Sequence, residues 1–163
     1  MKKCVAHAYQ TKGLYSTACD LSHLEDGELP MNQPPDVQVR EDLHLLIWKP
    51  RGILNEKVTN NLLAFLSDEE ARTEANELRF VDTGKLTAVA LNFQYVFHIA
   101  LYRRLTRASR PGIKSAFFIK NPEFAHYFKL HVVMTDYSRI KAKLFDNREV
   151  AAKWLKVPLE VIS

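Results

Sequence analysis

Four groups of residues in this 163-residue chain have the types and spacing to do chemistry. Cys4, His7, Cys19 and His23 read C-x2-H-x11-C-x3-H, and thiolates with imidazoles at such spacing are the donor set of a small zinc site. A finger also needs a packed core around its metal. This stretch offers little beyond Leu14, Tyr15 and Leu21, so no metal and no cofactor is expected. Asp82-Thr83-Gly84-Lys85 is a short polar loop whose threonine could carry a phosphate, with Lys85 to pair with it. The plainer reading of the same loop is a strand-to-helix turn. Gly84 would take a positive φ and the Asp82 carboxylate would hold nearby N–H groups.

Arg103, Arg104, Arg107 and Arg110, with Lys114 further on, could form a surface for an anion or an acidic partner. Cations at a helix C-terminus also interact favourably with its dipole, which explains much of the cluster without a ligand. Phe124, Tyr127, Phe128 and His131 fall on one helical stripe, with Met134 nearby, and could line an apolar pocket. Core packing explains the same stripe, and a buried histidine is more often neutral and hydrogen-bonded than catalytic. The chain carries no G-x-S-x-G, P-loop or dinucleotide glycine pattern. Its paired carboxylates, such as Glu69-Glu70, lie in polar sequence that reads as surface. The expectation is therefore a protein that is not an enzyme.

Composition sets wide bounds. A hydrophobic fraction of 47% and a charged fraction of 26% suit one globular core. Net charge is +4, which leans toward acidic partners but falls short of a nucleic-acid signature. No apolar run approaches a membrane span, and Met1-Lys2-Lys3 is not followed by the apolar stretch of a secretory signal. Two cysteines make no disulfide framework, so a cytoplasmic location is expected.

These residues must be positioned by regular elements, and those begin after a break. Residues 1–36 keep no period for long and end in Leu29-Pro30-Met31-Asn32-Gln33-Pro34-Pro35-Asp36. They read as an N-terminal extension with a linker, or as sequence upstream of a true start at Met31. Residues 37–163 read as the folded domain. Strands are expected at Val37–Arg40, Leu43–Lys49, Leu78–Val81, Ile113–Lys120 and Ile140–Phe145. One helix is expected after Asn55, with Val58, Leu62, Phe65 and Leu66 on its apolar stripe. A second starts near Asn92, with Phe93, Val96, Phe97, Ala100 and Leu101 on one face. A third follows Asn121-Pro122. The fourth follows Asp146 and Glu149, which have capping-box spacing, and buries Val150, Ala151, Trp154 and Leu155. Strands alternating with helices imply an α/β domain whose mostly parallel sheet of four to five strands is covered by about four helices. Lys141 and Lys143, alternating with Ile140, Ala142 and Leu144, place the last strand at an edge.

The element order and four strings resemble the STAS superfamily and its bacterial SpoIIAA-like proteins. The strings are Leu78-Arg79-Phe80-Val81-Asp82-Thr83-Gly84, Ile99–Arg104, Arg110–Phe117 and Leu144–Leu155. The resemblance covers residues 37–158 and implies a regulatory or protein-interaction module, with another protein as partner and a homodimer open. In STAS anti-sigma antagonists an Asp-x-Ser-Gly loop carries the phosphorylated hydroxyl. Here Gly84 stands where that hydroxyl would be and Lys85 where the glycine would be. The alternative function is a carrier or sensor of a small apolar, lipid-like or anionic ligand, implied by the aromatic third helix and by the likeness of this fold to lipid-carrier domains.

Overall fold

The computed structural model describes residues 33–72 and 74–163. Cys4, His7, Cys19 and His23, and the proposed start at Met31, lie outside the described residues.

The central sheet has five strands: β1 (Val37–Arg40), β2 (Leu45–Trp48), β4 (Glu77–Asp82), β6 (Ile113–Phe118) and β7 (Ile140–Phe145). Their spatial order is β1-β2-β4-β6-β7. Only β1 runs antiparallel to its neighbour; the other three pairings are parallel. The lysine-bearing β7 is an edge strand, as its alternation implies.

The helices are α1 (Glu56–Arg72), α2 (Phe93–Thr106), α3 (Ala125–Thr135), α4 (Arg148–Leu155) and the short α5 (Leu159–Ile162). They divide between the two faces, because alternate residues of a buried strand point opposite ways. Leu46, Trp48, Val81 and Phe117 meet Leu62, Phe65 and Leu66 of α1 and Phe128 of α3. Leu45, Ile47, Phe80, Ala116 and Phe118 meet Ala151, Ala152 and Leu155 of α4 and Ile162 of α5.

Two strands differ from the sequence expectation. β3 (Arg51–Asn55) and β5 (Lys85–Ala90) pair in parallel as a separate two-stranded sheet. β2 ends at Trp48, and after Lys49-Pro50 the chain becomes extended again as β3, with Gly52 at φ 68°. Likewise Asp82–Lys85 joins two strands rather than a strand and a helix.

Local capping follows simple chemistry. The side-chain oxygen of Asn55 accepts the Val58 N–H at 3.0 Å, and that of Asn92 accepts the Tyr95 N–H at 2.7 Å. A 3-10 turn over Pro122–Phe124 precedes α3, with Asn121 accepting the Glu123 N–H at 3.0 Å. The cap of α4 is Asn147, not Asp146: its oxygen accepts from the N–H groups of Glu149 and Val150 at 2.7 and 3.2 Å. This shift by one residue turns Ala152 inward and leaves Val150 52% exposed.

The face of α2 also differs. Val96 and Ala100 are buried as expected, but Phe93 and Phe97 are 53% and 39% exposed. The inward stripe continues instead through Arg103, with Arg107 at the C-terminal cap. The reason is electrostatic: two carboxylates lie beneath these arginines.

Candidate functional site

Glu70 is the centre of that charge cluster. It sits in the last turns of α1 on the same side as Leu62 and Leu66, and its side chain is buried. Its Oε1 accepts from Nη2 of both Arg79 and Arg103. Its Oε2 accepts from Arg103 Nη1 at 2.9 Å, so Arg103 grips the carboxylate with both arms of its fork. Arg107 Nη1 adds an ion contact with Oε2 at 3.2 Å, and Arg107 Nη2 donates to the Pro111 carbonyl at 2.9 Å. Arg110 donates to the Glu70 backbone carbonyl at 3.0 Å. Glu77, next to Arg79 on β4, accepts from Arg79 Nη2 at 2.6 Å.

Burial alone would push the Glu70 carboxyl up. The hydrogen bond from Arg103 and the charges of Arg79 and Arg103 outweigh it and hold the group below its ordinary value. Burial pushes Arg107 down, opposed by Glu70 and Glu77.

The expected surface of Arg103, Arg104, Arg107 and Arg110 is thus split. Arg103 and Arg107 are buried on carboxylates, while Arg104 and Arg110 are exposed. Spacing of four residues puts Arg103 and Arg107 on one side of the helix and turns Arg104 away. Glu70, read as surface from its polar neighbours, is 5% exposed.

Beside this cluster lies a largely apolar cavity of about 130 Å³ between the sheet and α1, α2 and α3. Leu54, Leu62 and Leu66 wall it on one side, and Tyr127, Phe128 and His131 of α3 on another. The sheet contributes Val81, Phe117 and two polar residues, Arg79 and Ser115; Arg103 reaches it from α2. The stripe Tyr127, Phe128 and His131 therefore faces this space, while Phe124 is buried in the core of the same face.

The polar groups of the wall keep free bonding capacity. Both hydrogen bonds of Arg79 leave from Nη2, and its buried Nε has no partner among the described residues. His131 meets the ring of Phe117 edge-on, 5.8 Å between centroids. Burial, with Arg103 and Arg79 adding, lowers His131 to about 4, so its ring is neutral at physiological pH. Arg79 and Ser115 were not singled out as site residues in the sequence, and Glu70 was read as a surface carboxylate. The usable signal was a polar residue inside each of two apolar strands, ELRFVD and IKSAFF.

The Asp82–Lys85 loop lies at the end of β4 and is built for structure. Thr83 is 1% exposed; its hydroxyl donates to the Phe118 carbonyl at 2.9 Å and accepts the Lys120 N–H at 3.4 Å. A phosphate cannot be added there without opening the loop. Asp82 Oδ1 accepts the Gly84 N–H at 2.8 Å, and Asp82 Oδ2 accepts from Arg148 at 2.9 Å. Gly84 does not take a positive φ. Its need is space, since a Cβ there would stand 2.9 Å from Asp82 Oδ1.

The class defined by these features is an α/β domain with a mostly parallel five-stranded sheet and a cavity under three helices on one face. Its structure is similar to that of an uncharacterised protein of the DUF3478 family, with a SpoIIAA-like fold, from Shewanella loihica PV-4. Identity is 16% and the TM-score is 0.49, covering 73% of this chain and 90% of that one. No protein-family model matches the sequence, and comparison with curated proteins gives no match. Among the described residues, no helix is long and apolar enough to cross a membrane.

Proposed function

We propose that this chain is a non-enzymatic binding module that holds a small apolar ligand between its sheet and α1–α3. The observation that carries this reading is the cavity of about 130 Å³, walled by Leu54, Leu62, Leu66, Val81, Phe117 and Phe128. An apolar cavity of roughly 150 Å³ is large enough to take up benzene. Binding sites have this make-up, an apolar wall with a few placed polar groups. Among the described residues, the charged groups on that wall are guanidiniums already engaged with carboxylates, and a guanidinium stays protonated at neutral pH and cannot serve as a base. His131 faces them with no carboxylate to orient it among the described residues, which favours binding over acid–base chemistry.

Titration of the ¹⁵N-labelled protein with toluene tests the reading. Saturable shifts at Leu62, Phe117 and Phe128 are expected. Shifts that are absent or scattered over the surface would refute it.

A second reading, docking of another protein or a second copy of the chain, is favoured by the outer side of α2. Tyr102 and Leu105 are exposed there, at 56% and 68%, with Phe97 beside them at 39%. Such side chains on one helix exceed the scattered apolar exposure of an ordinary surface. Sedimentation of the wild type against Phe97→Ser/Leu105→Ser tests the homodimer form; a monomer at all concentrations in both counts against it.

A further inference from the structure

The cluster around Glu70 is not electrically balanced. Arg79, Arg103 and Arg107 carry three positive charges, and Glu70 and Glu77 carry two negative ones. All three arginine side chains are at most 8% exposed. A buried charge without a counter-charge is costly, so one full positive charge here calls for an anion. The neutral His131 supplies none.

Two of the three arginines, Arg79 and Arg103, line the polar part of the cavity wall, while Arg107 does not. Arg79 and Ser115 are register partners on β4 and β6, so they stand side by side on the cavity face. Arg79 has spent only Nη2 on carboxylates; its buried Nε is unused among the described residues. Ser115 is 5% exposed and its side chain lines the cavity. The His131 ring, lining the same wall, can donate one N–H when neutral. Guanidinium, hydroxyl and imidazole N–H are all donors, and no acceptor-only group lines the cavity.

We infer that the ligand of this cavity is a small amphipathic monoanion, an aryl or short-chain carboxylate. Its carboxylate lies against Arg79, Ser115 and His131, and its apolar part among Leu62, Leu66, Phe117 and Phe128. This deepens the apolar-ligand reading and rests on it. Size sets the class. A volume of about 130 Å³ takes one aromatic ring or a chain of about six carbons, not a long acyl chain. Bound, the carboxylate completes the charge balance that Glu70 and Glu77 leave open. A phosphate monoester, with nearly two negative charges at neutral pH, would overshoot it.

The test is calorimetric and NMR titration of the full chain at pH 7 with benzoate, benzyl alcohol and toluene. Benzoate is expected to bind at least tenfold more tightly than benzyl alcohol, with shifts at Ser115, Phe128 and His131. Ser115→Ala is expected to weaken benzoate several-fold and leave toluene unchanged. Arg79→Met is expected to abolish the benzoate preference. Where that variant unfolds, Arg79→Lys, which keeps the charge but loses the fork, is expected to reduce the preference. Toluene binding in the cavity without a benzoate preference overturns the anion and leaves the apolar reading standing. Binding of none of the three overturns both. Benzoate shifts confined to exposed lysines and arginines also overturn the inference.

Discussion

Arg79 and Ser115 stand opposite each other on the parallel strands β4 and β6, the two polar members of a row that runs Leu46, Arg79, Ser115, Ala142 across the sheet. A cation in the middle of a covered sheet face must be answered from the layer above. Glu70 of α1 answers it, and in doing so recruits Arg103 from α2. One carboxylate thus joins three elements far apart in sequence, and the cavity opens beside that junction.

Removing this carboxylate is expected to be severe. Glu70→Gln leaves Arg79 and Arg107 with Glu77 alone, and Arg103 with no carboxylate among the described residues, in a buried site. Breaking a buried ion pair from one side costs about 3–5 kcal/mol. Urea denaturation followed by circular dichroism should show a loss of that order. A loss under 1 kcal/mol would mean that the arginines escape to solvent and the network is not tight.

The main sheet was readable because its strands are short apolar runs between clear turn signals. β3 and β5 were not, since they pair only with each other and are half exposed: Ile53 is 53% exposed and no residue of β5 is fully buried. The stripe of α3 was readable by period alone. The inward face of α2 was not, because periodicity arguments place arginines outside and aromatics inside. Here Glu70 reverses that preference, and nothing local in α2 announces a carboxylate on another helix. The same long-range pairing hid Glu70 itself within a polar run.

The cap of α4 separates two readings of adjacent residues. Asn147→Ala is expected to cost about 1 kcal/mol, because two N–H groups of the first turn lose their acceptor. Asp146→Ala, at an exposed position that caps nothing, should change stability by less than about 0.5 kcal/mol. Chemical denaturation of the pair decides: equal losses would restore Asp146 as a cap.

Thr83 ties the end of β4 to the end of β6 through its hydroxyl and its own N–H, both aimed at the Phe118 carbonyl. Thr83→Val keeps the shape and removes the hydroxyl. The Lys120 N–H then loses its acceptor, and a loss of about 1 kcal/mol is expected. Faster amide exchange at Lys120 should accompany it. Efficient phosphorylation of folded wild-type protein at Thr83 would show instead that the loop opens readily.

His131 should set the shape of the stability curve on the acid side of neutrality. Its folded value is lowered from 6.5 to about 4, so between those limits the unfolded chain binds a proton that the folded chain refuses. Stability therefore rises with pH across that window. It is complete above about 6.5 and lost progressively down to about 4, an effect of about 3 kcal/mol at most. Glu70 acts in a separate window. Its folded value lies below 4.5, so its contribution is intact above 4.5 and disappears only as the pH falls through the lower folded value. Between pH 7 and 5 the histidine carries the rising slope, opposed near its acid end by Glu69, whose carboxyl is pushed up by burial. His131→Phe should flatten that segment and leave the acid collapse in place, measured as urea midpoints at pH 7, 6 and 5. An unchanged slope in the variant would show that the ring protonates freely in the folded protein. It would then be a cation beside Arg79 and Arg103, which the apolar wall around it makes unfavourable.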